Sequence, residues 1–265
     1  MHICIKFTRS AIARLNFINH EDYVVFLTNL FNAYNEIFIK CNNTAFTLYA
    51  LYQNATNFIL FNKLSGNIAS SLAVDVFVQE VRRFWMANST QEKINQMLQS
   101  AVKLANFTVY DQAQQFEEFD GMGTTLVAVL IRGRKATVVN VGDSRMYLAN
   151  ENGIHQITKD HSLVQMMVDR GDLTPEQAKS YPGKNYITQA VGTESMVMCD
   201  LYHLDVAKGD YLLLCSDGLS NLLDDQEILF EIVHGVKKQN CCKRLLDIAK
   251  TRGAPDNVTS VLIEI

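Results

Sequence analysis

Three aspartates, each beside an apolar run, are the residues of this sequence best suited by type and position to metal binding or catalysis. Asp143 follows one run in V-G-D-S-R, Asp217 follows another in C-S-D-G, and Asp256 precedes a third in A-P-D-N-V. Each has small residues rather than basic ones next to it. If the strand ends are neighbours, the carboxylates converge with no Lys or Arg to neutralise them, and such a group requires protons or a cation. Oxygen-only ligands favour hard divalent ions, Mg²⁺ or Mn²⁺.

A plainer interpretation stays open for each position, because aspartate is a common turn residue. Ser216 and Asp217 could simply open a turn, or cap the helix predicted to begin near Asp224. Against this, an ionised carboxylate buried beside Leu-Leu-Leu costs several kcal/mol unless its charge is offset. The stretch around Asp217 therefore predicts a partner for the carboxylate, with Gly218 allowing the backbone to turn there.

Hydrophobic periodicity predicts the elements that position these residues. The continuous apolar run Tyr211–Cys215 is typical of a strand buried on both faces. Runs of strands flanked by pairs of helices, without regular βαβ alternation, predict layered α+β architecture. The predicted strands are 2–8, 23–27, 36–40, 124–131, 136–141, 145–148, 154–158, 201–206, 211–215 and 257–265. The predicted helices are 67–85, 90–115, 160–170, a short one from Thr174, 224–236 and 239–251.

Composition excludes several classes of protein. The net charge of −4 argues against a nucleic-acid partner, and the sequence has no apolar run long enough to span a membrane. The six cysteines show no disulfide or metal-binding spacing, which favours reduced thiols. Because the amino terminus also lacks a clear signal peptide, we expect a cytoplasmic protein. We see no linker, so residues 1–265 are expected to form a single domain.

Several short motifs occur in one order along residues 66–265. They are G-N-I-A-S-S-L-A-V at 66–74, G-M-G-T-T-L at 121–126, V-G-D-S-R at 141–145, I-T-K-D-H-S at 157–162, L-T-P-E-Q-A at 173–178, Q-A-V-G at 189–192, G-D-Y-L-L-L-C-S-D-G-L at 209–219 and P-D-N-V-T at 255–259. In this order they resemble the bacterial-type metal-dependent protein phosphatases, the protein phosphatase 2C or PPM family. Residues 1–65 are atypical and carry almost none of the resemblance.

The resemblance implies a four-layer α/β/β/α sandwich, in which two antiparallel sheets flanked by helix pairs hold two Mn²⁺ or Mg²⁺ ions. Asp217 and Asp256 match the family's ligands for the first metal ion. Asp143 matches a position that holds a third, weaker ion together with the equivalent of Asp217. In the chemistry that the family uses, a metal-activated water attacks phosphorus directly, so no protein nucleophile is needed.

The match fails at the family's D-G-M-G-G-H segment, whose Asp bridges two metal ions. Two alignments place Phe58 or Asn42 at this position, and neither supplies a carboxylate. Asparagine would keep an oxygen ligand and lose a charge, whereas phenylalanine would lose the ligand, so fewer than two ions could bind. In the distorted upstream motif, Asp22 is a candidate metal-shell carboxylate and Arg14 a candidate for binding the substrate phosphate.

The first hypothesis is a monomeric serine/threonine phosphatase that acts on phosphorylated proteins and opposes a cognate Ser/Thr kinase. The alternative is a catalytically impaired relative that keeps the fold and binds phosphoproteins or a kinase. A third possibility is that the unusual first third reflects a damaged reading frame and that the chain folds poorly.

Overall fold

The computed structural model of the protein describes residues 2–8, 11–19, 22–29, 37–40, 61–235 and 240–265, with side chains from residue 68 onward except at 118. Within these ranges the chain forms two antiparallel sheets that pack face to face, with helices on the outer face of each. The predicted α/β/β/α sandwich is therefore confirmed.

Both sheets are built from strands that lie far apart in the chain. The first contains, in spatial order, β4 (Ile37–Lys40), β1 (His2–Thr8), β11 (Val258–Glu264), β10 (Tyr211–Cys215), β7 (Arg145–Asn150) and β8 (Gly153–Gln156). The second contains β2 (Ala11–Asn19), β3 (Asp22–Asn29), β5 (Leu126–Arg132), β6 (Lys135–Val141) and β9 (Asp200–Asp205). As a result, β10 and β11, which precede and follow the predicted site aspartates, are direct neighbours.

The helices cover the two outer faces of the sandwich. The pair α1 (Phe61–Phe84) and α2 (Gln91–Gln115) packs on the second sheet. On the first sheet lie α5 (Asp217–Ser220), α6 (Asp225–Val233) and α7 (Cys241–Thr251), while α3 (Leu163–Arg170) and α4 (Pro175–Lys179) occur between β8 and β9 in the chain. None of the helices in the described part of the chain has the length and hydropathy that crossing a membrane requires.

The position of strand β10 between the outer helices and the second sheet explains why all five of its residues are apolar. Tyr211, Leu213 and Cys215 pack with the helices on the outer face of the first sheet. Leu212 and Leu214 pack between the two sheets. Side chains alternate across a strand, so only a strand enclosed on both sides is apolar at every position. The predicted burial of this strand on both faces is confirmed.

Local signals in the sequence set the ends of several helices. The hydroxyls of Thr90, Ser162 and Thr174 each accept an amide hydrogen bond from three residues ahead, and so begin α2, α3 and α4. Gly171 ends α3 in a left-handed conformation with φ of 79°. Asp224 begins α6 as part of a reciprocal capping box. These residues lie at ends of the helices that the sequence predicts at 90–115, at 160–170 and from Thr174.

One strand and one α-helix of the described chain were not predicted from the sequence. Strand β2 was not predicted, although A-I-A-R-L-N-F-I-N alternates apolar and polar residues over part of its length. Helix α5 was not predicted either: Asp217 opens this four-residue helix instead of a simple turn. Such a short helix has no hydrophobic period of its own, because one turn cannot show a repeat.

Candidate metal centre

Asp217 and Asp256 are brought together because the chain segments that carry them are bonded to each other. The Ser216 hydroxyl donates to the Asn257 carbonyl at 3.1 Å and accepts the Thr259 amide at 3.0 Å. The Ser216 amide also donates to the Thr259 carbonyl at 3.1 Å. These three bonds continue the pairing of β10 and β11 to the point where each carboxylate begins, so C-S-D-G and P-D-N-V-T act as one unit.

Gly218 is required at this junction because of a close backbone approach. A Cβ atom at this position would lie 2.1 Å from the Asn257 carbonyl oxygen. Its φ angle is not positive, so the close approach, rather than a left-handed backbone, is what requires glycine at the turn from β10 into α5. Glycine here allows the segment that carries Asp256 to pass directly against the start of α5.

Gly218→Ala is expected to separate these two segments. The added methyl overlaps backbone rather than a movable side chain, so we expect a loss of about 1–3 kcal/mol in the free energy of unfolding. Any Mn²⁺-dependent activity should fall as well, because Asp217 and Asp256 move apart. Denaturant unfolding and rate measurements would test this, with Ser220→Ala in the same helix as the control. An unchanged midpoint for Gly218→Ala would contradict the close approach.

Burial and a neighbouring charge raise the pKa of Asp217 to about 6, the larger cause being desolvation and the next the Asp256 carboxylate. The Gly218 amide and the positive charge of Arg145 lower the pKa, but do not offset these effects. Asn221 Nδ2 donates to Asp217 Oδ2 at 3.2 Å. The carboxylate is therefore held in place by hydrogen bonds in a setting that disfavours its negative charge.

Asp143 sits in a tight turn between β6 and β7. Gly142, just before it, has φ of 104°, and a Cβ there would lie 2.4 Å from Thr125 Cγ2. The Thr125 and Ser144 hydroxyls are 2.8 Å apart on the buried side of the turn. Glycine is therefore required at 142 for two reasons: the backbone is left-handed there, and it passes close to the G-M-G-T-T-L segment.

The Asp143 carboxyl group is also in a setting that favours its neutral form. Burial is the largest cause, followed by the negative charges of Asp217 and Asp160, and together they raise the pKa of Asp143 to about 7. Asp217 thus lies close enough to both Asp143 and Asp256 for their charges to interact. Asp217 is therefore the carboxylate that interacts with both of the others.

The prediction that no basic side chain would lie beside these carboxylates is wrong. Arg145 is close enough to lower the pKa of both Asp143 and Asp217. Its guanidinium, however, donates to both Asp160 carboxylate oxygens at 2.7–3.0 Å, and this pair is largely enclosed, with side chains 24% and 11% exposed. Since Asp160 already balances Arg145, the negative charge of the other carboxylates remains largely uncompensated.

Sequence reasoning missed Asp160 and its neighbours as parts of the site. The segment I-T-K-D-H-S is bonded to the V-G-D-S-R turn along its length. Met146 N donates to Thr158 Oγ1 at 3.0 Å, and Asn140 Nδ2 donates to the Lys159 carbonyl at 3.1 Å. The signal available in the sequence was only that both motifs match the family, which does not reveal the bonds between them.

The other predicted site residues lie outside the described side chains. Asp22 opens β3 opposite Arg132, and Arg14 lies in β2 opposite Phe26, where the backbone alone is described. Phe58 and Asn42, the two candidates for the missing bridging position, lie outside the described residues.

The donor chemistry of the described residues fits a divalent cation. Asp143, Asp217 and Asp256 offer only oxygen ligands, and a cation would relieve both their repulsion and the cost of their burial. Among the described side chains, those of residues 68–117, 119–235 and 240–265, no group of three or more His, Cys, Asp or Glu is placed so that it could hold a metal ion. A cation bound at these aspartates therefore needs further ligands besides them.

Comparisons with known proteins agree on one family. The family model described as protein phosphatase 2C matches residues 63–244. Protein phosphatase PhpP of Streptococcus pneumoniae serotype 2 is 32% identical over 212 residues, which cover 79% of this chain and 86% of that protein.

Solved structures extend the similarity to the whole fold. The serine/threonine phosphatase of S. agalactiae superposes with a TM-score of 0.80 at 26% identity, over 99% of this chain and 98% of that one. The catalytic domain of the serine/threonine protein phosphatase PstP, in complex with two manganese ions, gives 0.68 at 26% identity, over 99% and 98%. With a family model that spans more than half of its residues, the chain belongs to the protein phosphatase 2C family.

Proposed function

We propose that this protein hydrolyses phosphoserine and phosphothreonine esters in proteins, in a metal-dependent reaction that opposes a Ser/Thr kinase. The observation that carries the proposal is the interacting set of carboxylates Asp143, Asp217 and Asp256, placed where two strand ends and a turn meet. The relatives are named as protein phosphatases, and this supports the same reaction. Nothing in these comparisons favours the alternative of a relative that only binds phosphoproteins.

In this proposal Asp217 and Asp256 hold one divalent ion, and Asp143 with Asp217 holds another. When bound, the ions would neutralise phosphoryl oxygens and activate a water molecule for attack on phosphorus. The net reaction joins the water oxygen to phosphorus, breaks the ester P–O bond and leaves a protonated serine or threonine hydroxyl. The Gly218 amide and Asn221 fix the Asp217 carboxylate, and Asp160 keeps Arg145 from competing with the ions.

Several finer features belong to the same proposal. The preferred ion is Mn²⁺ or Mg²⁺, supported by the oxygen-only donors and by the manganese-bound relative. Arg14 would bind the substrate phosphate and Asp22 would act in the metal shell. We further propose that residues 1–265 act as a single domain and as a monomer. We place the protein in the cytoplasm, and the lack of a disulfide spacing among its cysteines supports this location.

Phosphate release from a phosphothreonine peptide would test the function. With Mn²⁺ we expect turnover that EDTA abolishes and that excess Mn²⁺ restores. A phosphotyrosine peptide of the same sequence serves as the matched substrate control and should react far more slowly. Mn²⁺-independent release, or no release above the EDTA control at any Mn²⁺ concentration, would overturn the proposal.

A further inference from the structure

The peptide groups of Gly142 are held from two directions by His161. The His161 ring Nδ1 accepts the Gly142 amide hydrogen at 3.1 Å, and the His161 amide donates to the Gly142 carbonyl at 2.9 Å. Asn140 Nδ2 donates to the same carbonyl at 3.1 Å. Two donors thus share the carbonyl, whereas among the described residues the imidazole is the acceptor for the amide hydrogen.

A second contact of the ring fixes its proton. A nitrogen that accepts must have a free lone pair, so the neutral ring carries its hydrogen on Nε2. That atom faces Asp200 Oδ2 at 3.3 Å, and the Tyr202 hydroxyl donates to the same oxygen at 3.0 Å. The His161 side chain is only 10% exposed. Asp200 therefore favours the tautomer in which Nδ1 can accept from Gly142.

Asp143 follows Gly142 directly, so the backbone angles of Gly142 set the direction in which Asp143 leaves the turn. Gly142 has no side chain to restrict rotation, and its φ of 104° is one that other residues rarely adopt. Rotation about the N–Cα and Cα–C bonds of Gly142 would turn the Asp143 carboxylate relative to Asp217. The His161 amide and Asn140 hold the Gly142 carbonyl, so a further bond that fixes the Gly142 amide restrains these rotations and the direction in which Asp143 points.

We propose that His161 is a positioning residue, which orients Asp143 for metal binding by accepting the Gly142 amide hydrogen at Nδ1. The inference rests on the proposed function in one respect, namely that Asp143 helps to hold a metal ion. Indirect partners of metal ligands typically contribute about 10–100-fold to metal affinity. We expect an effect at the lower end of this range, because His161 acts through the backbone.

Two amide substitutions separate this role from general packing. In His161→Asn the side-chain oxygen can occupy the place of Nδ1 and still accept the Gly142 amide. In His161→Gln the longer side chain places its amide nearer the former Nε2, so the bond to Gly142 is lost. Both variants remove the imidazole, and both keep a polar amide of similar size. His155→Gln, an exposed position on β8, is the matched control.

Hydrogen exchange of the metal-free protein tests the bond itself. The Gly142 amide should be protected in the wild type, in His161→Asn and in His155→Gln. It should exchange about 2–13-fold faster in His161→Gln, as expected for one lost hydrogen bond. Equal Gly142 exchange rates in the two His161 variants would refute the bond to Nδ1, whatever their activity.

Calorimetric Mn²⁺ titration tests the consequence for Asp143. We expect an affinity about tenfold weaker in His161→Gln and near the wild-type value in His161→Asn, with both variants melting cooperatively. Equal Mn²⁺ affinities in the two variants would overturn the positioning role. A wild-type protein that protects Gly142 but neither binds Mn²⁺ nor releases phosphate would instead refute the proposed function and leave the Gly142 bond standing.

Discussion

Asp217→Asn is expected to abolish Mn²⁺-dependent phosphatase activity and, at the same time, to stabilise the metal-free protein. As the carboxylate that interacts with both Asp143 and Asp256, Asp217 contributes most to the proposed ion sites. We expect kcat/KM to fall by at least about 10³-fold. The stabilisation that Mn²⁺ gives to the wild type should disappear in the same variant.

The gain in stability of the metal-free variant follows from the cause of the raised pKa. Asp217 is desolvated and close to other carboxylates, so its ionised form is less stable in the folded chain than in the unfolded one. A neutral amide of the same shape removes this cost, and we expect a gain of about 1 kcal/mol at pH 8. Melting curves with EDTA would measure it, with Asp205→Asn on the exposed edge of β9 as the control. A less stable Asp217→Asn variant, or one that still gains stability from Mn²⁺, would contradict this account.

The metal-free wild type is expected to become more stable as the pH falls from about 8 to about 5, by about 2 kcal/mol. The pKa values of Asp143 and Asp217 are about 7 and about 6 in the folded chain, against 3.8 ordinarily. Between pH 8 and pH 5 the folded state binds more protons than the unfolded state, so the free energy of unfolding rises as the pH falls through 7 and 6. Carboxylates that are paired or hydrogen-bonded in the folded state usually have the opposite effect.

Glu227 sets the lower pH limit of this measurement. The Arg252 guanidinium lowers the pKa of Glu227 from 4.5 to about 2. Its stabilising contribution is complete above 4.5 and is lost as the pH falls toward 2, so the measurement stays above pH 5. Urea midpoints with EDTA should rise on acidification in the wild type and change less in Asp143→Asn. Midpoints that fall steadily from pH 8 to pH 5 would contradict the raised pKa values.

The parts of the fold predicted from sequence were those with a strong local pattern. The five-residue apolar run of β10 specifies a strand enclosed on both sides. Thr174 and Pro175 mark the start of α4 by side-chain chemistry, whereas Gly171 ends α3 because glycine tolerates a left-handed backbone. The pairing of distant strands is not encoded in such patterns. The sandwich was therefore predicted through the family resemblance, and the convergence of the aspartates only on the condition that their strand ends are neighbours.

The interactions that shape the site were harder to predict because they join distant segments. Arg145 lies near Asp143 and Asp217 in the fold, and Asp160 holds it there in a two-oxygen ion pair. Gly218 reads as a flexible turn residue until the Asn257 carbonyl is found 2.1 Å from its would-be Cβ. Both facts depend on packing between strand ends, which no local pattern in the sequence shows.

Anomalous diffraction at the manganese edge, from crystals grown with Mn²⁺, tests the central claim most directly. The account predicts anomalous peaks within ligand distance of the Asp217 carboxylate, with Asp256 on one ion and Asp143 on another. The same maps would show which residue takes the place of the missing bridging aspartate. Ordered density for all three carboxylates with no anomalous peak near any of them would contradict the account.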